Sequence, residues 1–195
     1  MKTLDEYLRD AEQAHGHLCA GQVLGVRMAM LGLETLGIND PQGKDRKRLV
    51  TFVEIDRCAT DAVAVVTGCR LGKRALKFRD WGKVAATFVD VNSGRGVRIA
   101  AKESSKVLAK SMHPEVADKN RQQMLAYREM SAEDLFDVQW VTVELPAEEF
   151  PGFKGERVVC AACGEGINFK REVRRDGRVL CRGCAGESYY RVIEP

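Results

Sequence analysis

Apolar side chains recur at helical spacing from the start of the chain. Leu4, Tyr7, Leu8 and Ala11 follow Thr3-Leu4-Asp5-Glu6, which reads as a capping box. The pattern stops at His15-Gly16-His17-Leu18-Cys19-Ala20-Gly21, too short and Gly-rich for a regular element. A second apolar helix is predicted from Gln22 to Leu36, ended by Gly37. Its Gly25, Ala29 and Gly32 leave room for another backbone. After a polar loop at 40–48, Leu49 to Asp56 reads as a strand and Ala59 to Thr67 as a short helix. Alternation from Ala75 to Ile99, broken at Asp80-Trp81-Gly82 and Asn92-Ser93-Gly94, predicts two or three antiparallel strands. Residues 102–130 look helical, Ser131 to Asp134 adds a short turn, and Val138 to Leu145 is a final strand.

Helices interspersed with hairpins make the class α+β: an antiparallel sheet packed with helices, followed by a small zinc-ribbon or treble-clef module. The segment Pro146 to Gly155 is rich in Pro and Gly and carries little periodicity. The expected organisation is a core at 1–147, a linker at 148–156 and a four-cysteine module at 157–195.

Composition narrows the class of protein. The 195 residues are 45% hydrophobic and 30% charged, the balance of a globular protein with its own core. No apolar run approaches the roughly 20 residues of a membrane-spanning helix, and the first ten residues do not resemble a secretory signal. A cytoplasmic protein without a membrane partner is expected. Seven cysteines cannot all pair, and in a reducing compartment clustered cysteines act as ligands or reactive thiols. The formal charge of +3 is too mild to argue for nucleic acid.

Four cysteines form two CxxC knuckles, Cys160-Ala161-Ala162-Cys163 and Cys181-Arg182-Gly183-Cys184, with 17 residues between the inner pair. Each knuckle lets two thiolates reach one ion from a tight turn, and two knuckles complete a tetrahedral sulfur shell suited to zinc. A closed shell has no open position, so this Zn(2+) is expected to be structural and to supply folding free energy. Asp176-Gly177 between the knuckles makes a hairpin turn. The run CAACGEGINFKREVRRDGRVLCRGCA resembles the zinc finger of the DksA/TraR family over about residues 157–186. The resemblance implies a hairpin and a short helix around the ion. It does not carry over polymerase binding, because that family's coiled coil is absent. Lys170, Arg171, Arg174, Arg175, Arg178 and Arg182 cluster here near Phe169, Tyr189 and Tyr190. Glu172 and Asp176 dilute them, so a solvated surface is preferred to a nucleic-acid contact.

A second constellation lies near the amino terminus. His15, His17 and Cys19 fall within five residues, and Cys19 and Cys58 each precede or open a predicted helix, where the dipole favours a thiolate. Asp61 and Cys69 are expected nearby, since one short helix separates Cys58 from Cys69. The candidate core metal ligands are His15, His17, Cys19, Cys58 and Cys69, a donor set suited to zinc, nickel or iron. The candidate catalytic residues are Cys19, Cys58, His17 and Lys73.

HGHLCAGQVLGVRMA and VEIDRCATDAVAVVTGCRLGKRALKFRDWGKVAATFVD resemble the formylmethanofuran dehydrogenase E-subunit family over about residues 10–145. The motifs are GHxCxG, LGxRMA, CxxDA, TGCxxGK and GKxAxTF, with Ala20 where the family usually has Pro. His17, Cys19, Cys58, Cys69 and Lys73 match those motifs. The resemblance implies an α+β core with a variable tail and a homodimer with its cleft near the interface. The chain has no room for a pterin domain and lacks the cysteine runs of an iron–sulfur wire, so it is not that dehydrogenase by itself. The expected function is metal binding, with metal-dependent or thiolate chemistry in the core, or metal or oxyanion handling linked to molybdenum or tungsten enzymes. The alternatives are a ligand-sensing regulator whose finger touches nucleic acid or RNA polymerase, and a non-catalytic component partnered in an oxidoreductase complex.

Overall fold

Thr3 opens α1 (Leu4–His15) with a complete capping box: its hydroxyl accepts from Glu6 N, and the Glu6 carboxylate accepts from Thr3 N at 2.8 Å. Tyr7, Leu8 and Ala11 are the buried stripe of this helix. Gly16, at φ 97°, ends it in the left-handed region that glycine adopts without strain. The next helix, α2 (Ala20–Thr35), has no polar face: Val23, Val26, Met28, Ala29 and Leu33 are all buried, as befits a helix at the centre of a core.

The computed structural model describes residues 1–193 and resolves two units, Met1–Glu144 and the residues from Leu145 onward. The first unit continues with β1 (Leu49–Val53), α3 (Cys58–Thr67), β2 (Leu76–Phe78), β3 (Ala85–Asp90) and β4 (Arg95–Ala101). It ends with α4 (Ser104–Met112), α5 (Lys119–Glu129), α6 (Ala132–Leu135) and β5 (Phe136–Thr142). The strands form one sheet in the order β2-β1-β3-β4-β5. Three of the four pairings are antiparallel, giving the expected α+β class. β2 differs: it pairs parallel with β1, Thr51 beside Leu76, because α3 carries the chain back along the sheet before β2 begins. Three residues are too few to announce a direction in the sequence.

One sheet face contributes Leu49, Val53, Ala86, Phe88, Val97 and Ile99 to the core shared with the helices. Two glycines set how closely α2 approaches its neighbours. A Cβ at Gly32 would enter the Phe88 ring, and one at Gly25 would collide with the Ala59 carbonyl and sit 2.8 Å from Ala62 Cβ. α5 lies alongside α2 and runs the same way. Asn120 Oδ1 accepts from Ala20 N at 3.0 Å near the start of both helices. Further on, Arg27 Nη1 donates to the Tyr127 carbonyl at 2.7 Å and to the Met130 carbonyl at 2.5 Å, satisfying the end of α5. Charged groups around the sheet are paired: Arg98 grips Glu54 through two 2.7 Å bonds, and Arg48 bridges Asp45 and Asp90 at 3.0 Å each.

The second unit opens with a 3-10 turn at Ala147–Glu149 and holds two short hairpins, β6 (Val158–Val159) with β7 (Gly166–Ile167), and β8 (Val173–Arg175) with β9 (Arg178–Leu180). A helical turn, Gly183–Glu187, follows. Ile167, Leu180 and Cys160 make its small core. No helix among the described residues is long and apolar enough to cross a membrane.

Candidate metal and thiol sites

Each knuckle sits where a short strand ends. Cys160 and Cys163 sit in the turn joining β6 to β7, and Cys181 and Cys184 sit where β9 gives way to the helical turn. The four Sγ atoms lie within 4.8 Å of one another, and Cys163 Sγ is 3.9 Å from Cys181 Sγ. Sulfurs at tetrahedral corners around zinc stand about 3.8 Å apart, given a Zn–S bond of ~2.3 Å. Backbone amides already address the sulfurs: Cys181 N donates to Cys160 Sγ at 3.2 Å and Cys184 N to Cys181 Sγ at 3.3 Å.

That crowding divides the thiols. Amide hydrogen bonds from Cys163, Cys181 and Ala162 bring the Cys160 thiol down to about 6. Cys184 faces the sulfurs of Cys181 and Cys163 and is pushed up to about 12. Four adjacent thiolates repel one another, and only a cation at their centre lets all four ionise at neutral pH. Cys160, Cys163, Cys181 and Cys184 therefore fit Zn(2+) as a closed, four-sulfur structural site.

In the core, Gly16 turns the chain out of α1 and delivers His17, Leu18 and Cys19 to the start of α2. Cys19 is the N-cap residue of α2 but makes no side-chain capping bond, and Asn120 closes the neighbouring Ala20 amide instead. Cys58 is the first residue of α3. The close approach at Gly25 brings these two helix ends together. A methyl at Gly21 would lie 3.5 Å from Cys58 Cβ and 3.7 Å from Cys19 Sγ. Burial pushes the Cys58 thiol up, and its side-chain contact with Cys19 raises it further. His15 Nδ1 lies 2.9 Å from Asp61 Oδ2, one turn of α3 beyond Cys58, and the His15 and His17 ring centroids are 4.8 Å apart.

Four of the expected residues, His15, His17, Cys19 and Cys58, thus lie at the end of α1, in its connection to α2 and at the starts of α2 and α3, joined by Asp61 and Asn120. Two others are not brought there. Cys69 follows the far end of α3, a helix about 15 Å long at ~1.5 Å per residue. It is buried, with Thr51 Oγ1 donating to its sulfur at 3.4 Å and Leu49 O 3.8 Å away. Burial raises its thiol, as for a small core residue. Lys73 sits at that same far end, on the exposed 3-10 turn Leu71–Lys73, so the quartet Cys19, Cys58, His17 and Lys73 does not assemble. Nor do the core donors form one tight set. Among the described residues, only the tail cysteines bring three or more donor atoms within 4.8 Å of one another, and the core offers adjacent pairs instead of a preformed second metal centre.

This core, with its helix-end thiols and its four-sulfur tail, matches known proteins. Residues 14–137 match the family model described as FmdE, molybdenum formylmethanofuran dehydrogenase operon. The chain belongs to the FmdE family. Residues 154–190 match the prokaryotic dksA/traR C4-type zinc finger. A tungsten formylmethanofuran dehydrogenase FmdE-like protein from Syntrophus aciditrophicus shares the fold, with a TM-score of 0.65 and 24% identity over 97% of this chain and 95% of that one. A protein from Archaeoglobus fulgidus described as a probable S-adenosyl-L-methionine-binding protein is 33% identical over 97% of this chain. The chain spans about half of that relative, 55% of its length.

Proposed function

We propose that this FmdE-family protein binds a soft divalent metal ion between Cys19 and Cys58, with His15 and His17 at the rim, while the tail zinc serves only to fold the second unit. The supporting observation is the meeting of two thiols at the N-termini of two helices held together at Gly25. Both helix dipoles favour negative charge on sulfur, while burial and the contact with Cys19 push the Cys58 thiol up, so a cation between the sulfurs favours ionisation there. Binding then releases the thiol protons to solvent, and the ion accepts two thiolates. Asp61 fixes one nitrogen of His15, leaving Nε2 to face a ligand, the usual division of labour in a carboxylate–histidine pair. A site built from adjacent pairs rather than a closed shell suits uptake and release better than permanent retention. In this reading the protein handles a metal or oxyanion in the service of molybdenum or tungsten enzymes, as a homodimer.

Metal analysis of the full chain tests this. Wild type titrated with Co(2+) or Zn(2+) is expected to take a second equivalent beyond the tail ion, and Cys19→Ser/Cys58→Ser to lose that equivalent alone. Saturation of wild type at one ion per chain would overturn the reading. The name of the Archaeoglobus fulgidus relative favours a second candidate, S-adenosyl-L-methionine. Calorimetric binding of that compound that persists in Cys19→Ser/Cys58→Ser would place the ligand site elsewhere in the chain.

A further inference from the structure

The tip of the β8–β9 hairpin carries a feature that neither zinc binding nor the thiol pair uses. Asp176 and Gly177, at φ 48° and 72°, make a two-residue turn with both central residues left-handed. That turn places Arg175 directly opposite Arg178, the register of the hairpin's last pair. Like charges facing each other across two strands are destabilising, and nothing in the folding of so small a hairpin requires them. Arg175 reaches only the Ala185 carbonyl, at 3.4 Å. Among the described residues no carboxylate stands within 4.0 Å of Arg175 or Arg178. Of the two acidic neighbours that dilute the patch in the sequence, Glu172, only 14% exposed at its side chain, pairs with Arg174 at 3.3 Å, and Asp176 lies in the turn itself without forming an ion pair with either guanidinium.

Exposed aromatic rings follow in the same module. The bond from Arg175 ties the hairpin to the helical turn, which leads straight into Tyr189 and Tyr190. These rings are 97% and 60% exposed and pack edge to face with centroids 5.2 Å apart. Their backbone is set by Ser188, whose hydroxyl donates to the Tyr190 carbonyl at 2.8 Å. Arg171 lies over the Phe169 ring at 5.5 Å.

We propose that the zinc module, through Arg175 and Arg178 together with Tyr189 and Tyr190, binds single-stranded nucleic acid. Phosphates relieve the facing guanidiniums, and unpaired bases stack on the open tyrosine rings, whose faces a duplex would leave uncovered. Stacking is tolerant of sequence, so little base preference is expected.

Fluorescence anisotropy with the zinc-loaded full chain tests it, using a labelled oligouridine and oligothymidine of about 20 nucleotides, a DNA duplex of the same length, and vesicles containing phosphatidylserine. The expected result is binding to either single strand that weakens as salt rises. Arg175→Gln/Arg178→Gln should lower the salt slope by about 1.4, from roughly 0.7 per lost phosphate contact. Tyr189→Ala/Tyr190→Ala should weaken binding about tenfold or more with the slope kept. Zinc content equal to wild type in each variant shows that the module is intact. Failure to bind either single strand at low salt, equal affinity in both double variants, tighter binding to duplex, or retention on vesicles alone would each overturn the proposal.

Discussion

At the scale of single residues, the chemistry of the core rests on the company each thiol keeps. Cys58 is raised first by burial and then by Cys19, so its ionisation reports whether the two sulfurs truly meet. In Cys19→Ser the second contribution disappears and a hydroxyl donor replaces it. Alkylation of Cys58 by iodoacetamide, followed by mass spectrometry across a pH series, is expected to reach its midpoint at lower pH than in wild type. An unchanged midpoint would mean that the sulfurs do not interact. His15, His17, Cys19 and Cys58 were legible in the sequence because histidines and cysteines crowd around predicted helix starts. Asn120 was not. It meets Ala20 across 100 positions, and an exposed asparagine beginning a polar helix carries no local mark of such a partner. Cys69 shows the converse limit: nearness to Cys58 along the chain becomes the length of a helix in space.

At the scale of elements, small residues decide whether the thiol pair exists. Gly25 lets α2 lie against the first turn of α3, and there is no space there for one more carbon. Gly25→Ala is expected to force the helices apart at a cost of about 1–3 kcal/mol, the usual range for overpacking a filled core. Thermal unfolding would read the loss, and the same variant should show weaker Cys19–Cys58 coupling in the alkylation series. An increase in stability would mean that the packing at this crossing is looser than the contacts imply. The pattern of close-packing glycines was visible in the sequence, though not their partners. The hairpin turn at Asp176-Gly177 was legible in full, because two left-handed positions in succession demand those residue types. The direction of β2 was not, since a crossover is a property of what lies between strands.

At the scale of the whole molecule, acid sensitivity follows from the paired charges of the sheet. Burial alone would raise the Asp45 and Asp90 carboxyls. Their hydrogen bonds, from Arg48 and from backbone amides, outweigh it and hold both below the ordinary carboxylate value. Groups depressed in this way stabilise the fold at any pH above that ordinary value, and the contribution is lost as pH falls through the depressed one. Arg48→Met removes the shared guanidinium, so both carboxyls should rise and acid unfolding should begin at higher pH. Circular dichroism across a pH titration measures the shift, and an unmoved acid limb would assign the sensitivity to other groups. The α+β class and the four-sulfur tail were both readable from sequence, the first from alternating periodicities and the second from spacing alone.

The bond between Ala20 N and Asn120 Oδ1 also bears on how the protein is made. The ribosome delivers Cys19 and Cys58 early, yet the helix end beside Cys19 stays unfinished until α5 has emerged. A nascent or truncated chain ending before that point would leave the first amide of α2 without this partner. Completion of α5, rather than synthesis of Cys19, sets the moment at which this helix end is closed.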